Sequence, residues 1–320
     1  MTLLIIIVNY RTADLTIDCL RSLQSEVGPL DGTRVVVTDN ASGDDSVERL
    51  IAAVREGGWG DWATIRPLER NGGYAFGNNA AIRPALEGAD PPRYVLLLNP
   101  DTIVRPGALK ALVEFMDGRP DVGIAGSRLE EPDGTPQHSA FRFPSILGEL
   151  DWGANFGPVS RLLRRWAVVP PIPEGPGPID WVAGASMIIR IHVLESIGLI
   201  DEKYFMYFEE VDFCHRARRA GWPCWYVPSA RVVHLVGRSS GVTDPRAAAA
   251  RNRRPGYWFL ARRRYFLSHH GRVKTLLADL AWSLGHVSYR VRRFLLRKPS
   301  NEPRLILWDF IRFNFLLARK

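Results

Sequence analysis

The sequence is poor in cysteine: Cys19, Cys214 and Cys224 are its only three, and no pair has the spacing of a metal clamp. That excludes a disulfide framework and fits a reducing compartment. No basic leader precedes the apolar run of MTLLIIIVNYR and no small-residue cleavage site follows it, so the run is expected to be a buried first strand and not a signal peptide. No apolar stretch reaches the roughly 20 residues that a spanning helix needs. The longest, Leu305 to Ala318, is interrupted by Asp309 and Arg312. There is no GxGxxG fingerprint, no P-loop and no internal repeat. Acidic residues are scarce in one region only. Residues 251 to 320 hold 17 Lys and Arg against 3 Asp and Glu, which leaves 25 against 31 for residues 1 to 250. The chain therefore reads as an acidic body with a basic tail, although its formal charge is +8.

What is present is a globular composition, 46% apolar over 320 residues, enough for one large α/β core or one core with a smaller appended domain. The short apolar runs LLIIIV (3–8), RVVVTD (34–39), ATIRPL (63–68) and RYVLLLN (93–99) each end in polar residues, the pattern of buried parallel strands. Between them Leu15 to Leu23, Val47 to Val54, Asn78 to Leu86 and Ala108 to Met116 have helical spacing. Strand and helix in alternation predict a doubly wound sheet whose ligands bind outside the carboxyl ends of its strands. Residues 131 to 180 are rich in Pro and Gly and are expected to interrupt regular structure as an insertion or flap. WVAGASMIIR (181–190) resumes a strand, and GRSSGVTDPRAAAARNRRPG has the composition of a mobile connector.

Several polar residues at strand ends could carry chemistry. Asp39, in VVVTDNASGDDS, could accept hydrogen bonds from a nucleobase or ribose, or could cap the next helix. RNGGYAFGNNAA (70–81) opens a helix, and its glycines allow backbone amides to approach a phosphate, or simply make a tight turn. Asn99 and Asp101 in LLLNPDT stand one residue apart on an extended backbone and project to one side. Such a pair suits Mg²⁺ or Mn²⁺ on a diphosphate, and suits an Asx turn around Pro100 as well. FMYFEEVDFCHR gathers Glu209, Glu210 and Asp212 among aromatic residues, where desolvation raises carboxyl pKa values and favours a general base. The alternative is an acidic first turn of a helix with Arg216 and Arg218 as partners. His234, in RVVHL, could equally be a satisfied core histidine.

The order IVNYRTAD, VTDNASGDDS, NGGYAFGNNAAI, LLLNPDT, WVAGASMIIR, YFMYFEEVDFCHRARRAGW resembles that of family 2 glycosyltransferases over residues 3 to 236, and is most similar to the rhamnosyltransferase-like branch. The resemblance implies the GT-A fold, a mostly parallel α/β sheet flanked by helices, here followed by a basic helical extension. It implies an inverting transferase of the hexosyl class that uses a divalent metal, Mg²⁺ or Mn²⁺, and a nucleotide diphosphate sugar, with dTDP-rhamnose as the family-level donor. Carried over by residue, Asn9, Tyr10 and Asp39 would hold the nucleotide, and Asn71 and Gly73 would lie near the donor. Asp101 and His234 would bind the metal. Asn99 takes the first place of the Asp-x-Asp motif usual in relatives, a departure that leaves Asp101 the firmer ligand. Glu210 aligns with the catalytic base, where the family more often has Asp. Glu209 and Asp212 would orient the acceptor or the base, and Trp181, Gly184 and Ala185 would form the acceptor-side wall.

The implied organisation is a catalytic domain over residues 1–240, with a nucleotide-binding half (1–128) and an acceptor half (129–240), and a basic aromatic tail over 241–320. Arginine interleaved with Trp, Tyr and Phe in RNRRPGYWFLARRRYF (251–266) and PRLILWDFIRFNFLLARK (303–320) suits a membrane interface, and Leu305 to Ala318 is expected to lie on a bilayer. A homodimer built through the tail is the alternative. The expected setting is the cytoplasmic face of the cell membrane, the acceptor a glycan or a lipid diphosphate-linked sugar of surface-polysaccharide assembly. Two rivals from other classes are a nucleotidyltransferase, which would want a glycine-rich basic loop that IVNYRTAD lacks, and a nucleic-acid-binding protein, which would leave the acidic cluster unexplained.

Overall fold

A computed structural model describes residues 1–235, 253–298 and 302–317, so most of the connector expected at GRSSGVTDPRAAAARNRRPG lies outside the described residues. In chain order the elements are β1 (Leu3–Asn9), α1 (Ala13–Val27), β2 (Thr33–Asp39), α2 (Ser46–Glu56), β3 (Ala63–Pro67), α3 (Gly73–Glu87), β4 (Tyr94–Leu98), β5 (Thr102–Val104), α4 (Ala108–Gly118), β6 (Ile124–Glu130) and β7 (Ala140–Phe141). They continue with α5 (Ile146–Ala154), α6 (Gly157–Leu162), β8 (Gly177–Ile179), β9 (Trp181–Val182), β10 (Ser186–Arg190), α7 (Ile191–Ile197), α8 (Glu209–Arg219), β11 (Cys224–His234), α9 (Gly256–Leu295) and α10 (Ile306–Ile311), which runs into a π-helical turn at Arg312–Leu316. Contacts divide the chain into two compact units: Met1–Phe141, Pro171–Phe205 and Glu209–Gly241 form the first, and Arg142–Pro170, Met206–Phe208 and Val242–Lys320 the second.

The first unit is built on a sheet of order β3-β2-β1-β4-β10-β6-β11-β5, with β8 paired on β11. β1 and β4 are buried along their whole length, as central strands covered on both faces must be, and their unbroken apolar runs follow from that. β1, β2, β3 and β4 are parallel, so their carboxyl ends emerge at one edge, where the register sets Asn9 opposite Asp39. β10 runs antiparallel between β4 and β6. Its first residue, Ser186, therefore pairs with Leu98 at the end of β4, which brings the WVAGAS segment to that same edge. β5 is only three residues long, yet its antiparallel pairing with β11 sets His234 opposite Thr102. WVAGASMIIR is thus two short strands with a break at residues 183–185, not one.

The second unit is helical. The stretch FRFPSILGELDWGANFGP, expected to be irregular, contains α5 and runs into α6. Ser145 caps α5 by accepting from the Gly148 amide, and Asn155 ends it at φ 42°, a left-handed conformation that Asn tolerates. Local capping thus overrides the Pro and Gly content. α9 is broken at Gly271, which takes φ 73° and ψ 175°. Trp258, Phe259, Trp282, Ile306 and Phe310 form this unit's apolar core, with Trp282 stacked on Phe310 at 3.9 Å. One side of the segment expected to lie on a bilayer is therefore core. Ile306, Asp309 and Phe310 are buried and Asp309 is paired with Arg253 at 2.6 Å, while Leu305 and Trp308 remain exposed.

Candidate active site

Around the carboxyl edge of the first unit's sheet, each expected residue has a defined place. Asn9 and Asp39, at the ends of β1 and β2, are both buried. Asn9 Nδ2 donates to Asp39 Oδ2 at 2.6 Å, and the Ser42 hydroxyl donates to the same oxygen at 2.6 Å. The Ser42 amide donates to Asp39 Oδ1 at 2.9 Å, while Asn9 Oδ1 accepts from Thr12 and Thr16. Asp39 thus fixes two loops to each other. The β1–α1 loop passes through Arg11 at φ 56°, and the β2–α2 loop through Ala41 at φ 55°. Tyr10 keeps an exposed ring beside the Arg11 guanidinium.

The NGGY turn is stitched to the chain that precedes the acidic helix. Gly73 has φ 88°, and a Cβ there would stand 1.9 Å from the Phe205 carbonyl oxygen, so only glycine serves. Its amide donates to Asn71 Oδ1 at 3.0 Å, and the Tyr74 amide donates to the Phe205 carbonyl at 2.9 Å. Asn40 Nδ2 donates to the Gly73 carbonyl, and its Oδ1 is buried without a partner. Further along α3, Asn79 holds Ile200 and Glu202. The loop expected to approach the donor is therefore held rigidly from two sides.

Asp101 follows β4 and is buried; His234 Nε2 lies 3.5 Å from its Oδ1. The β5–β11 pairing produces this approach, reinforced by a Leu235 amide to Asp101 carbonyl bond of 2.9 Å. Asn99 is held by its backbone, which donates to the Ala185 carbonyl and accepts from the Thr102 hydroxyl. No group of three or more His, Cys, Asp or Glu side chains poised for a metal occurs among the described residues. A carboxylate and an imidazole at this spacing nevertheless fit a hard divalent cation that takes its other ligands from a diphosphate and water, as such ions commonly do.

Glu209, Glu210 and Asp212 sit in the first turn of α8, but they differ in environment. Asp212 accepts from Arg216 Nε at 2.8 Å and from the Tyr204 hydroxyl at 3.3 Å, and Arg216 also binds the Ile197 and Leu199 carbonyls. Asp212 is thus tied into the scaffold. Glu209 Oε2 and Glu210 Oε2 are buried atoms without a hydrogen-bond partner. Burial pushes the Glu210 carboxyl up to about 7, and burial followed by the neighbouring Glu210 charge holds Glu209 well above its ordinary value. Just before them, Tyr207 and Phe208 have φ 72° and 68°, a costly conformation for aromatic residues.

The sequence reading passed over Tyr74. Its hydroxyl donates to the Gly184 carbonyl at 2.7 Å, which ties the NGGY turn to the WVAGAS segment. Burial, then the charges of Glu209 and Glu210 and, more weakly, Asp101, push its phenol up. Tyr74 therefore lies within electrostatic reach of both the acidic pair and Asp101. The only signal for it was an aromatic residue inside a glycine turn. Trp181 stacks on Phe141 at 4.3 Å, while Gly184 and Ala185 act through their carbonyls.

A parallel-rich sheet with an acidic helix and an Asp–His pair at its carboxyl edge is the GT-A glycosyltransferase architecture. Among solved structures, the mannosyltransferase PcManGT from Pyrobaculum calidifontis, in complex with GDP-Man and Mn²⁺, has this fold, with a TM-score of 0.55 at 16% identity over 99% of this chain and 80% of that one. The model of the family described as "Glycosyltransferase like family 2" matches residues 2–257, and the chain belongs to that family. The N-acetylglucosaminyl-diphospho-decaprenol L-rhamnosyltransferase of Mycobacterium tuberculosis is 31% identical over 85% of this chain and 88% of its own. Rhamnosyltransferase WbbL of Escherichia coli K12 is 27% identical over 52% and 62%. The protein is an enzyme, a glycosyltransferase of the rhamnosyltransferase-like kind, and this decides against the nucleotidyltransferase and nucleic-acid-binding alternatives.

Proposed function

We propose that the protein is an inverting, divalent-metal-dependent transferase that moves L-rhamnose from dTDP-rhamnose to a hydroxyl of a lipid diphosphate-linked sugar at the inner face of the cell membrane. The observation that carries this reading is the pair Glu209 and Glu210, whose buried oxygens lack partners and of which Glu210 is poised to change protonation near neutral pH. A base with a pKa near the working pH is the most effective kind. Names of relatives support the sugar and acceptor classes, since one acts on a diphospho-decaprenol sugar and two are rhamnosyltransferases. The catalytic domain would be residues 1–240 and the tail 241–320.

In this mechanism the acceptor lies along Trp181, Gly184 and Ala185, and Glu210 takes the proton from its hydroxyl. The freed oxygen attacks the anomeric carbon from the face opposite the diphosphate, the bond to the diphosphate oxygen breaks, and the configuration inverts without a covalent enzyme intermediate. Asp101 and His234 would hold a divalent cation, which when bound would supply charge neutralisation for the departing diphosphate. Tyr10, Asn9 and Asp39 receive the nucleoside, Asn71 and Gly73 border the sugar, and Asn99 shapes the turn that aims Asp101. The Glu210 charge disfavours ionisation of Glu209, and Asp212 positions the helix.

The test is nucleoside diphosphate release from a panel of sugar nucleotides with Mg²⁺ or Mn²⁺, for the wild type and Asp101→Ala. Turnover of dTDP-rhamnose that vanishes on chelation and in the variant is the expected result. Turnover indifferent to chelation would overturn the metal assignment, and preference for another sugar nucleotide would overturn the donor.

A further inference from the structure

Beyond the break at Gly271, α9 presents two opposed faces. Thr275, Ala278, Trp282, Gly285 and Tyr289 point inward and are buried. Val273, Leu277, Leu280, Leu284, Val287 and Val291 recur at alternating intervals of four and three and point outward, and the stripe ends at Phe294. Their exposure is not marginal: Val273 is 73% exposed, Leu284 69% and Phe294 82%. Helical periodicity sets Arg272 and Arg290 along one border of this stripe and Lys274 along the other. All three are exposed.

An exposed apolar stripe of this length marks a surface that something covers, and the spacing alone fits either a second helix or a bilayer. Charge decides between them. The only acidic residue in Gly256–Leu295 is Asp279, which is buried and bonded to Arg262 at 2.6 Å. A second copy, parallel or antiparallel, would bring cationic borders against cationic borders with no acid to pair them. An anionic lipid surface matches both features, since the apolar stripe enters the acyl boundary while the flanking Arg and Lys reach the headgroups. A cavity of about 280 Å³ lies beside the same helix, lined by Ile146, Leu147, Trp166 and Phe266 together with Ser145, His270 and Lys274, a further place for a largely apolar chain beside a cation. No described helix is long and apolar enough to cross a membrane.

We infer that the outward face of α9 from Val273 to Phe294 seats the protein on an anionic bilayer, lying in the interface. This deepens the proposed reading as a membrane-surface enzyme and rests on it. It places the contact within the basic aromatic tail, on the outward face of its long helix, in addition to the segment Leu305–Ala318 that the sequence had suggested.

The experiment is co-flotation of the full chain with vesicles of phosphatidylglycerol and phosphatidylcholine, and with phosphatidylcholine alone, comparing the wild type with Leu280→Glu combined with Leu284→Glu. Circular dichroism and acceptor-free nucleoside diphosphate release monitor folding. The expected result is binding to the anionic vesicles that falls roughly tenfold or more in the variant and at raised salt, with fold and donor hydrolysis retained. Equal flotation of variant and wild type would overturn the inference. So would absence of flotation with a wild-type dimer, seen by light scattering, that the variant dissociates. Donor hydrolysis is read separately, so a failure of the transferase reading and a failure of the membrane reading give different results.

Discussion

Two buried charge clusters, one in each unit, are treated in opposite ways. In the second unit, Arg262 is fully buried and answered on both sides, by Glu149 at 2.8 Å and Asp279 at 2.6 Å. Burial pushes both acids up, and Arg262 works against it. In the first, Glu209 and Glu210 share one helical turn with a buried oxygen each left unpartnered. A satisfied network joins α5, α9 and the Asn314 side chain; an unsatisfied pair keeps acceptors available for a substrate. Unanswered burial of that kind costs stability and persists where chemistry needs it.

The largest effect should come from breaking the satisfied side. Arg262→Met strands two buried acids and should destabilise the protein by about 3–5 kcal/mol, read by urea unfolding, with much of the loss recovered when Glu149→Gln and Asp279→Asn are added. Next is Asp101→Ala, which should lower turnover on the order of 10²-fold, equivalent to about 2.7 kcal/mol, with little change in melting temperature. Gly73→Ala meets both a positive φ and the Phe205 carbonyl, and should cost about 1–3 kcal/mol in stability while weakening donor affinity, measured by calorimetry. The smallest effect sharpens the contrast through pH. The Glu210 pKa is raised from 4.5 to about 7, so its penalty on the folded state is absent below pH 4.5, grows between the two values and is complete above 7. Glu210→Gln should therefore raise the melting temperature above pH 7, and the gain should vanish toward pH 4.5.

Much of the fold was legible. β1 to β4 and α1 to α4 follow from apolar runs and helical spacing, most plainly in β1 and β4, which are covered on both faces. Other elements were hidden. β5 has three residues and exists only because β11 pairs with it, a tertiary cause with no local signature. α5 owes its place to a Ser145 cap and an Asn155 end within a Pro- and Gly-rich stretch. In the site, the Asn9–Asp39 meeting follows from strand register, whereas the approach of His234 to Asp101 came from family resemblance, since sheet pairing between distant segments cannot be read from either one. The difference between Asp212, engaged by Arg216 and Tyr204, and Glu210, with an unanswered oxygen, rests on side-chain direction within a single turn. The stripe on α9 was written plainly at its intervals of four and three, but only the buried opposite face shows which way it points.

The central claim, that the unanswered carboxylate of Glu210 is the base for sugar transfer, is tested most directly by the pH dependence of kcat/KM for transfer by the wild type and Glu210→Gln, with donor affinity measured in parallel. The account predicts a wild-type rate that falls tenfold per pH unit below about 7. It also predicts a variant slower by on the order of 10²-fold or more with that limb abolished and donor binding intact. A variant that transfers within a few-fold of the wild type, with the same acid limb, would contradict it.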